Sequence, residues 1–181
     1  MKLANAFKNR CEGIAVDWRY RLNLQPYDRL PADQLLLAIA PDAQVLRPDQ
    51  VPNLQPDRIA QLNQAADWSA GIVVNKPLRI LMRPDISPAR YESNLMHELA
   101  HIILKHRMVG FDPVTGLPMR DPQHEAEADY LGSCLQIPKR GLAWWTHKGY
   151  DALQVAHHFG ASEAMVRFRC NMTGAAFPSS T

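Results

Sequence analysis

The segment SNLMHELAHIILKH (residues 93–106) contains HELAH, which matches the pattern HExxH. Residues four apart on an α-helix share one face, so His97 and His101 can present two imidazoles to a single metal ion. Glu98 is offset by about 100° of helix rotation and therefore flanks the ion. Zinc in such a site lowers the pKa of a bound water from ~15.7 to about 7, and an adjacent carboxylate can take its proton. The pattern predicts a hydrolytic zinc site with Glu98 as the general base.

The HExxH motif is modest evidence when it stands alone. Independent placement of the chain's His and Glu residues would produce it in roughly 1% of such sequences. Catalytic zinc also needs a third ligand from the protein. A metzincin would have glycine at position 104 and histidine at 107, but Leu104 and Arg107 stand there, which excludes that class.

A second helical segment, QHEAEADYLG (residues 123–132), supplies the missing ligand. Glu125 and Asp129 are four residues apart and share one face of that helix. In this arrangement the first acid binds zinc, and the second accepts a hydrogen bond from a ligating histidine and fixes its tautomer. Glu127 faces another direction and is expected to be a surface acid. We therefore expect Glu125 to be the third ligand and Asp129 to support the site.

Elements on both sides of these motifs must position them. Apolar spacing predicts an amphipathic helix over residues 4–22. Ser87 as N-cap and Pro88 in the first turn predict a helix of about twenty residues that carries HELAH. The segment from Met108 to Gln123 holds two Gly and three Pro, which predicts a loop that serves as a lid or binding loop.

The remaining segments predict short elements. Strands are expected at residues 43–46, SAGIVVN and LRILM, with a turn at Lys76 and Pro77 between the last two. LRILM is the strand expected at the sheet edge, where an extended substrate could pair with it. Short helices are expected at PADQLLLAIA, PDRIAQLNQAADW, HEAEADYLGSCLQI, LAWWTH, YDALQVAHHF and SEAMVRFRC.

Composition places the chain among soluble globular proteins. Hydrophobic residues make up 46% of its 181 residues, and no apolar run approaches the length needed to cross a bilayer. The N-terminus lacks a secretion signal, and three well-separated cysteines form no disulfide framework, so we expect a cytoplasmic protein. The net charge is +2, yet residues 31–138, which include HELAH, carry −4. An acidic centre suits a cation site.

Several stretches together resemble the ImmA/IrrE family of metallopeptidases. The segment SPARYESNLMHELAHIIL resembles the approach to the family's active-site helix, and EAEADYLGSCLQIP resembles its ligand helix, which often has Asn in place of Asp129. FGASEAMVRFRCNMTG resembles the closing segment, whose helix bears an arginine, here Arg169. The resemblance covers roughly residues 7–174, including the N-terminal helical part. Its departures are small, with Ala161 and Cys170 where the family tends to have Val and Leu.

The resemblance implies an α+β fold, compact and zincin-like, in which a small three-stranded sheet packs on the HExxH helix between N-terminal and C-terminal helices. We expect one metallopeptidase domain, made of a mostly helical part (1–66), the sheet and zinc-binding helices (67–138), a C-terminal helical part (139–174) and a tail (175–181). It also implies a zinc-dependent endopeptidase that cleaves a helix-turn-helix repressor, in response to DNA damage, phage or mobile elements. The resemblance further implies activation by single-stranded DNA.

Other roles remain open. The alternatives are a non-proteolytic zinc-fold sensor that binds DNA or protein, and a general housekeeping protease; the intact Glu98 favours an enzyme. Candidates for stabilising the oxyanion of the tetrahedral intermediate are Tyr130, His124, His147 and the family-matched Arg169. Two further hypotheses concern Cys11 or Cys170 as an inhibitory fourth zinc ligand, and Trp144 and Trp145 as a base-stacking pair.

Overall fold

Helices dominate the computed structural model, which describes residues 3–64, 68–107, 110–111, 118–119 and 121–177. The helices in this part of the chain are α1 (Asn5–Arg21), α2 (Ala32–Ile39), α3 (Pro56–Gln64), α4 (Pro88–Leu104), α5 (Pro122–Gln136), α6 (Lys139–His147), α7 (Ala152–Phe159) and α8 (Glu163–Thr173), with a 3-10 turn at Pro48–Gln50. The strands are β1 (Gln44–Leu46), β2 (Ala70–Asn75), β3 (Leu78–Met82), β4 (Gly110–Phe111) and β5 (Pro118–Met119).

The main sheet has three strands in the order β1-β3-β2. β3 pairs in parallel with β1, where Ile80 lies opposite Val45, and antiparallel with β2, where Ile80 lies opposite Ile72. LRILM is therefore the central strand, and its prediction as the edge was wrong, because β1 closes its second side. Burial agrees with this position, since Ile80 is fully buried and Leu78 and Met82 nearly so.

The principal core lies between this sheet and helices α1, α2, α4 and α5. Its buried members include Cys11, Ala15, Leu35, Ile80, Leu95, Met96, Leu99, Leu131, Cys134 and Leu135. In α4, Leu95, Leu99 and Ile102 recur at helical spacing, and this apolar stripe docks the helix while leaving the histidine face outside the core. The arrangement is α+β, with a compact zincin-like organisation of sheet, HExxH helix and ligand helix.

The C-terminal helices form a second core. Ile137, Leu142, Val155, Phe159 and Val166 are fully or almost fully buried in it. Arg19, itself fully buried, connects α1 to the end of α5, because it donates to the carbonyl oxygens of Ala15, Asp28 and Gln136. These contacts hold the ligand helix between the two cores.

Most expected elements are confirmed. The helix over residues 4–22, the strand near 43–46 and the β2–β3 pair with its turn at Lys76 and Pro77 are present. The expected loop from Met108 to Gln123 contains the short antiparallel pair β4–β5, and α5 begins inside it at Pro122. Its other residues before Asp121, and with them the proposed lid, lie outside the described residues. No described helix has the length and apolarity needed to span a membrane.

Candidate metal centre

Helix α4 carries three of the predicted site residues. Ser87 caps it by accepting a hydrogen bond from the backbone N–H of Arg90, and Pro88 occupies its first turn. His97 and His101 lie on its partly buried face, one turn apart. Glu98 is only 3% exposed. Regular helix geometry therefore places both imidazoles on one side with the carboxylate of Glu98 beside them.

Helix α5 packs unusually close to α4 at the height of His97. A Cβ atom on Gly132 would lie 3.2 Å from the Cα and N atoms of His97 and from the carbonyl oxygen of Met96. This separation is tighter than ordinary van der Waals contact, so glycine allows the two helix backbones to approach. Glu125 stands two helical turns before Gly132, and the close crossing brings its carboxylate over the two histidines.

Three donor atoms converge between the helices. The Nε2 atoms of His97 and His101 are 3.0 Å apart, and they lie 3.4 Å and 3.1 Å from the two carboxylate oxygens of Glu125. Among the described residues, His97, His101 and Glu125 form the group whose donor atoms could hold a metal ion. A tetrahedral ion with bonds of about 2.0–2.2 Å separates its donors by about 3.3 Å, so spacing and donor chemistry both fit zinc. This is the juxtaposition expected from sequence.

Asp129 contacts the far side of His97. Its Oδ1 lies 2.9 Å from Nδ1 of that ring, so Nδ1–H donates to the carboxylate and Nε2 is left to face the metal group. Burial alone would lower the pKa of His97, but the hydrogen bonds to Asp129 and Glu125 raise it to about 9. In the absence of metal, His97 is therefore an imidazolium at neutral pH, with protons on both Nδ1 and Nε2.

Another histidine, His106, lies against the ligand His101. Its Nδ1 is 3.0 Å from Nδ1 of His101, and its Nε2 is 3.1 Å from Oε2 of Glu127. The ring of His124 stacks on His106 with centroids 4.2 Å apart. Glu127 is thus a partner of His106, and its prediction as a solvated surface acid was wrong. Sequence reasoning missed this pair, although both residues lie within five positions of a predicted ligand.

Arg169 lies in a buried ion pair. Its side chain is fully buried, Nη2 donates to Oε1 of Glu12 over 2.5 Å, and Nε donates to the carbonyl oxygen of Ile137. The guanidinium also lies over the ring of Tyr130, 5.7 Å from its centroid. These contacts join α8 to α1 and to the end of α5, and none of them is with the three metal-group residues. They give Arg169 a structural role, while its catalytic role remains a prediction.

Replacing Arg169 separates these two roles. Arg169→Met should lower the free energy of unfolding by about 3–5 kcal/mol, because the carboxylate of Glu12 would stay partly buried without its cation. Chemical denaturation measures this change. The matched control is Arg167→Met on the same helix, whose exposed pair with Glu163 should contribute only about 0.3–0.5 kcal/mol. A loss of turnover at unchanged stability would instead support the catalytic role.

The other sequence-predicted candidates lie in varied surroundings. Tyr130 is almost fully buried beside Phe7, and His147 is exposed at the end of α6. Cys11 is fully buried in the principal core, where burial raises the pKa of its thiol to about 12. Neither Cys11 nor Cys170 belongs to the metal-binding group found among the described residues. Cys11 therefore packs as a small apolar side chain.

The two tryptophans have partners within the protein. Trp145 donates from Nε1 to the carbonyl oxygen of Tyr27, and the ring of Tyr27 stacks on Trp144 with centroids 4.7 Å apart. Lys148 also lies over the Trp144 ring, 5.6 Å from its centroid. These contacts fit a packing role for the pair.

Comparison with known proteins adds one finding. A family model, Peptidase_M78, described as an IrrE N-terminal-like domain, matches residues 59–171. The matched stretch is well over half of the chain, and it includes α4, α5 and every member of the metal-binding group. Comparison with curated proteins gives no significant match.

Proposed function

The chain belongs to the ImmA/IrrE family, whose model is Peptidase_M78, and we propose that it is a zinc-dependent endopeptidase that cleaves a helix-turn-helix transcriptional repressor. One observation carries the enzymatic part of the proposal. His97, His101 and Glu125 direct three donor atoms to one point, and the buried Glu98 follows directly after the first ligand. A site that only bound metal would need no general base there.

The residues divide the chemistry among themselves. His97 and His101 would hold zinc through Nε2, and Glu125 through its carboxylate. When bound, zinc supplies Lewis-acid polarisation of a peptide carbonyl and of a water molecule. Glu98 accepts a proton from the attacking water and returns it to the leaving nitrogen as the C–N bond breaks. Asp129 keeps the proton of His97 on Nδ1, so that Nε2 stays available.

The strands of the main sheet limit how an extended substrate could bind. Because β3 is central, pairing with the sheet would require one of the outer strands, β1 or β2. Of these, β2 packs against α4, the helix that carries His97 and His101. We propose that the substrate backbone aligns with β2, which would run it past the metal group.

The pH dependence of zinc binding follows from the proton on His97. Zinc must displace the second proton, on Nε2 of the His97 imidazolium, so the apparent zinc affinity should rise about tenfold per pH unit below pH 9 and level off above. Competition titrations with a chelator of known pH dependence measure the slope. Asp129→Asn replaces the carboxylate whose hydrogen bond raises this pKa with a neutral amide, so the zinc affinity of the variant should level off at lower pH. Equal profiles for the two proteins would contradict the assigned role of Asp129.

The substrate class rests on the resemblance of residues 7–174 to the family. Its test is to incubate the protein with the helix-turn-helix protein encoded nearest to it, with and without single-stranded DNA, and to identify products by mass spectrometry. We expect one defined cut by the wild type and none by Glu98→Gln. Dependence on the DNA would identify it as the activator.

Other outcomes separate the alternatives. Stoichiometric zinc without cleavage of any repressor, but with binding to DNA or to the repressor, would support the non-proteolytic sensor. Cleavage of many unrelated unfolded proteins would support a housekeeping protease. If the protein binds no zinc, the proposed function and both alternatives are wrong.

A further inference from the structure

We propose that His106 and Glu127 are positioning residues, which hold the ligand His101 in its metal-binding orientation through a chain of two hydrogen bonds. This inference rests on the proposed zinc site. Asp129 bonds to the ligand His97. His106 and Glu127 would give the other histidine ligand, His101, a support of its own.

The backbone at the end of α4 places His106 against His101. Lys105 adopts the left-handed conformation (φ 59°, ψ 38°), which a residue with a Cβ takes only at some cost. The chain then turns back, and the backbone N–H of His106 donates to the carbonyl oxygen of His101 over 3.0 Å. The ring of His106 consequently returns to the ligand face of the helix that has just ended.

The proton positions follow from the metal group. Nε2 of His101 lies 3.0 Å from Nε2 of His97 and 3.1 Å from Glu125, so this nitrogen must be free of a proton to bind metal. The proton of a neutral His101 is then on Nδ1, where it donates to Nδ1 of His106. That contact requires His106 to carry its own proton on Nε2, and Nε2 faces the carboxylate of Glu127 at 3.1 Å. This pair of neutral tautomers satisfies both hydrogen bonds, from His101 to His106 and from His106 to Glu127.

Helix α5 fixes the outer end of this chain. The side chain of Gln123 donates to Oε1 of Glu127, and the His124 ring stacks on His106 at an interplanar angle of 10°. The same helix therefore supplies the ligand Glu125, the support for His97 at Asp129 and the support for His101 at Glu127. Docking of α5 on α4 would set all of them at once.

The test compares zinc affinity among ring variants, measured by chelator competition. His106→Phe retains a ring to stack on His124 and removes both nitrogens, and it should weaken zinc binding about 10–100-fold. His106→Gln can accept from His101 and donate to Glu127, so it should recover a large part of that loss. His158→Phe is the matched control, because His158 is also half-buried but bonds to the carbonyl oxygen of Tyr27, which is not part of the metal group.

Unfolding of the metal-free variants is measured in parallel, to separate positioning from packing. Support for the proposal is a loss of zinc affinity in His106→Phe that His106→Gln largely recovers and His158→Phe does not show, with the unfolding stability of the metal-free proteins nearly unchanged. Wild-type affinity in His106→Phe, or equal losses in the Phe and Gln variants, would overturn it. A wild type that binds no zinc would instead show that the proposed function has failed.

Discussion

Glu98→Gln is expected to reduce peptide cleavage by roughly 10²–10⁴-fold while the protein still binds zinc. Glutamine has nearly the shape of glutamate, but it cannot take a proton from the attacking water or return one to the leaving nitrogen. Glu98 is not one of the three residues whose donor atoms converge, so its replacement leaves the ligand set intact. Single-turnover cleavage and zinc content, measured on the same sample, give both quantities.

The control for this variant is its stability. Glu98 is buried, and a neutral amide of nearly the same shape brings no uncompensated charge into the interior. The free energy of unfolding of Glu98→Gln should therefore not fall. Cleavage at the wild-type rate by Glu98→Gln would contradict its role as general base. Loss of zinc from the variant would mean that Glu98 acts as a ligand.

Glu125→Ala is expected to lower zinc affinity by more than about 100-fold and to abolish cleavage, because the metal would keep only two protein ligands. Chelator competition measures the affinity. Asp129→Asn is the comparison on the same helix, measured above pH 9 where the Nε2 proton of His97 no longer competes with zinc. It keeps an oxygen that can accept from His97 and should cost about tenfold. Equal losses in the two variants would mean that Glu125 only supports a histidine, as Asp129 does.

The metal group was predictable because its residues obey helix periodicity. His97 and His101 are four apart on one helix, as are Glu125 and Asp129 on the next, and spacing alone places each pair on one face. What spacing could not give is the close approach of α5 to α4. That approach is possible because Gly132 has no Cβ atom where the backbone of Met96 and His97 lies opposite it. The sequence does not show which residues face Gly132.

The supporting pair was missed for a local reason. His106 reaches His101 because Lys105 takes a left-handed conformation. Glycine or asparagine at position 105 would have indicated that conformation in the sequence, whereas lysine does not. A regular helix continued through residue 106 would have placed that ring about 140° from His101, five residues on. Because the sequence does not place His106 near the ligands, it also indicates no partner for Glu127.

Long-range contacts account for the other differences. Arg169 pairs with Glu12, 157 residues away, and nothing in the helical pattern of either segment indicates the other. The central position of β3 depends on its pairing with the three-residue strand β1, which joins it across an intervening helix and β2. A strand of that length has too few residues for its pattern to reveal which neighbour it joins.

The proposed function requires that His97, His101 and Glu125 hold one catalytic zinc ion. Anomalous diffraction at the zinc absorption edge, from crystals of the zinc-loaded protein, tests it most directly. We expect a single strong peak about 2.0–2.2 Å from Nε2 of both histidines and from a carboxylate oxygen of Glu125. A peak elsewhere, or none between these three side chains at saturating zinc, would contradict it.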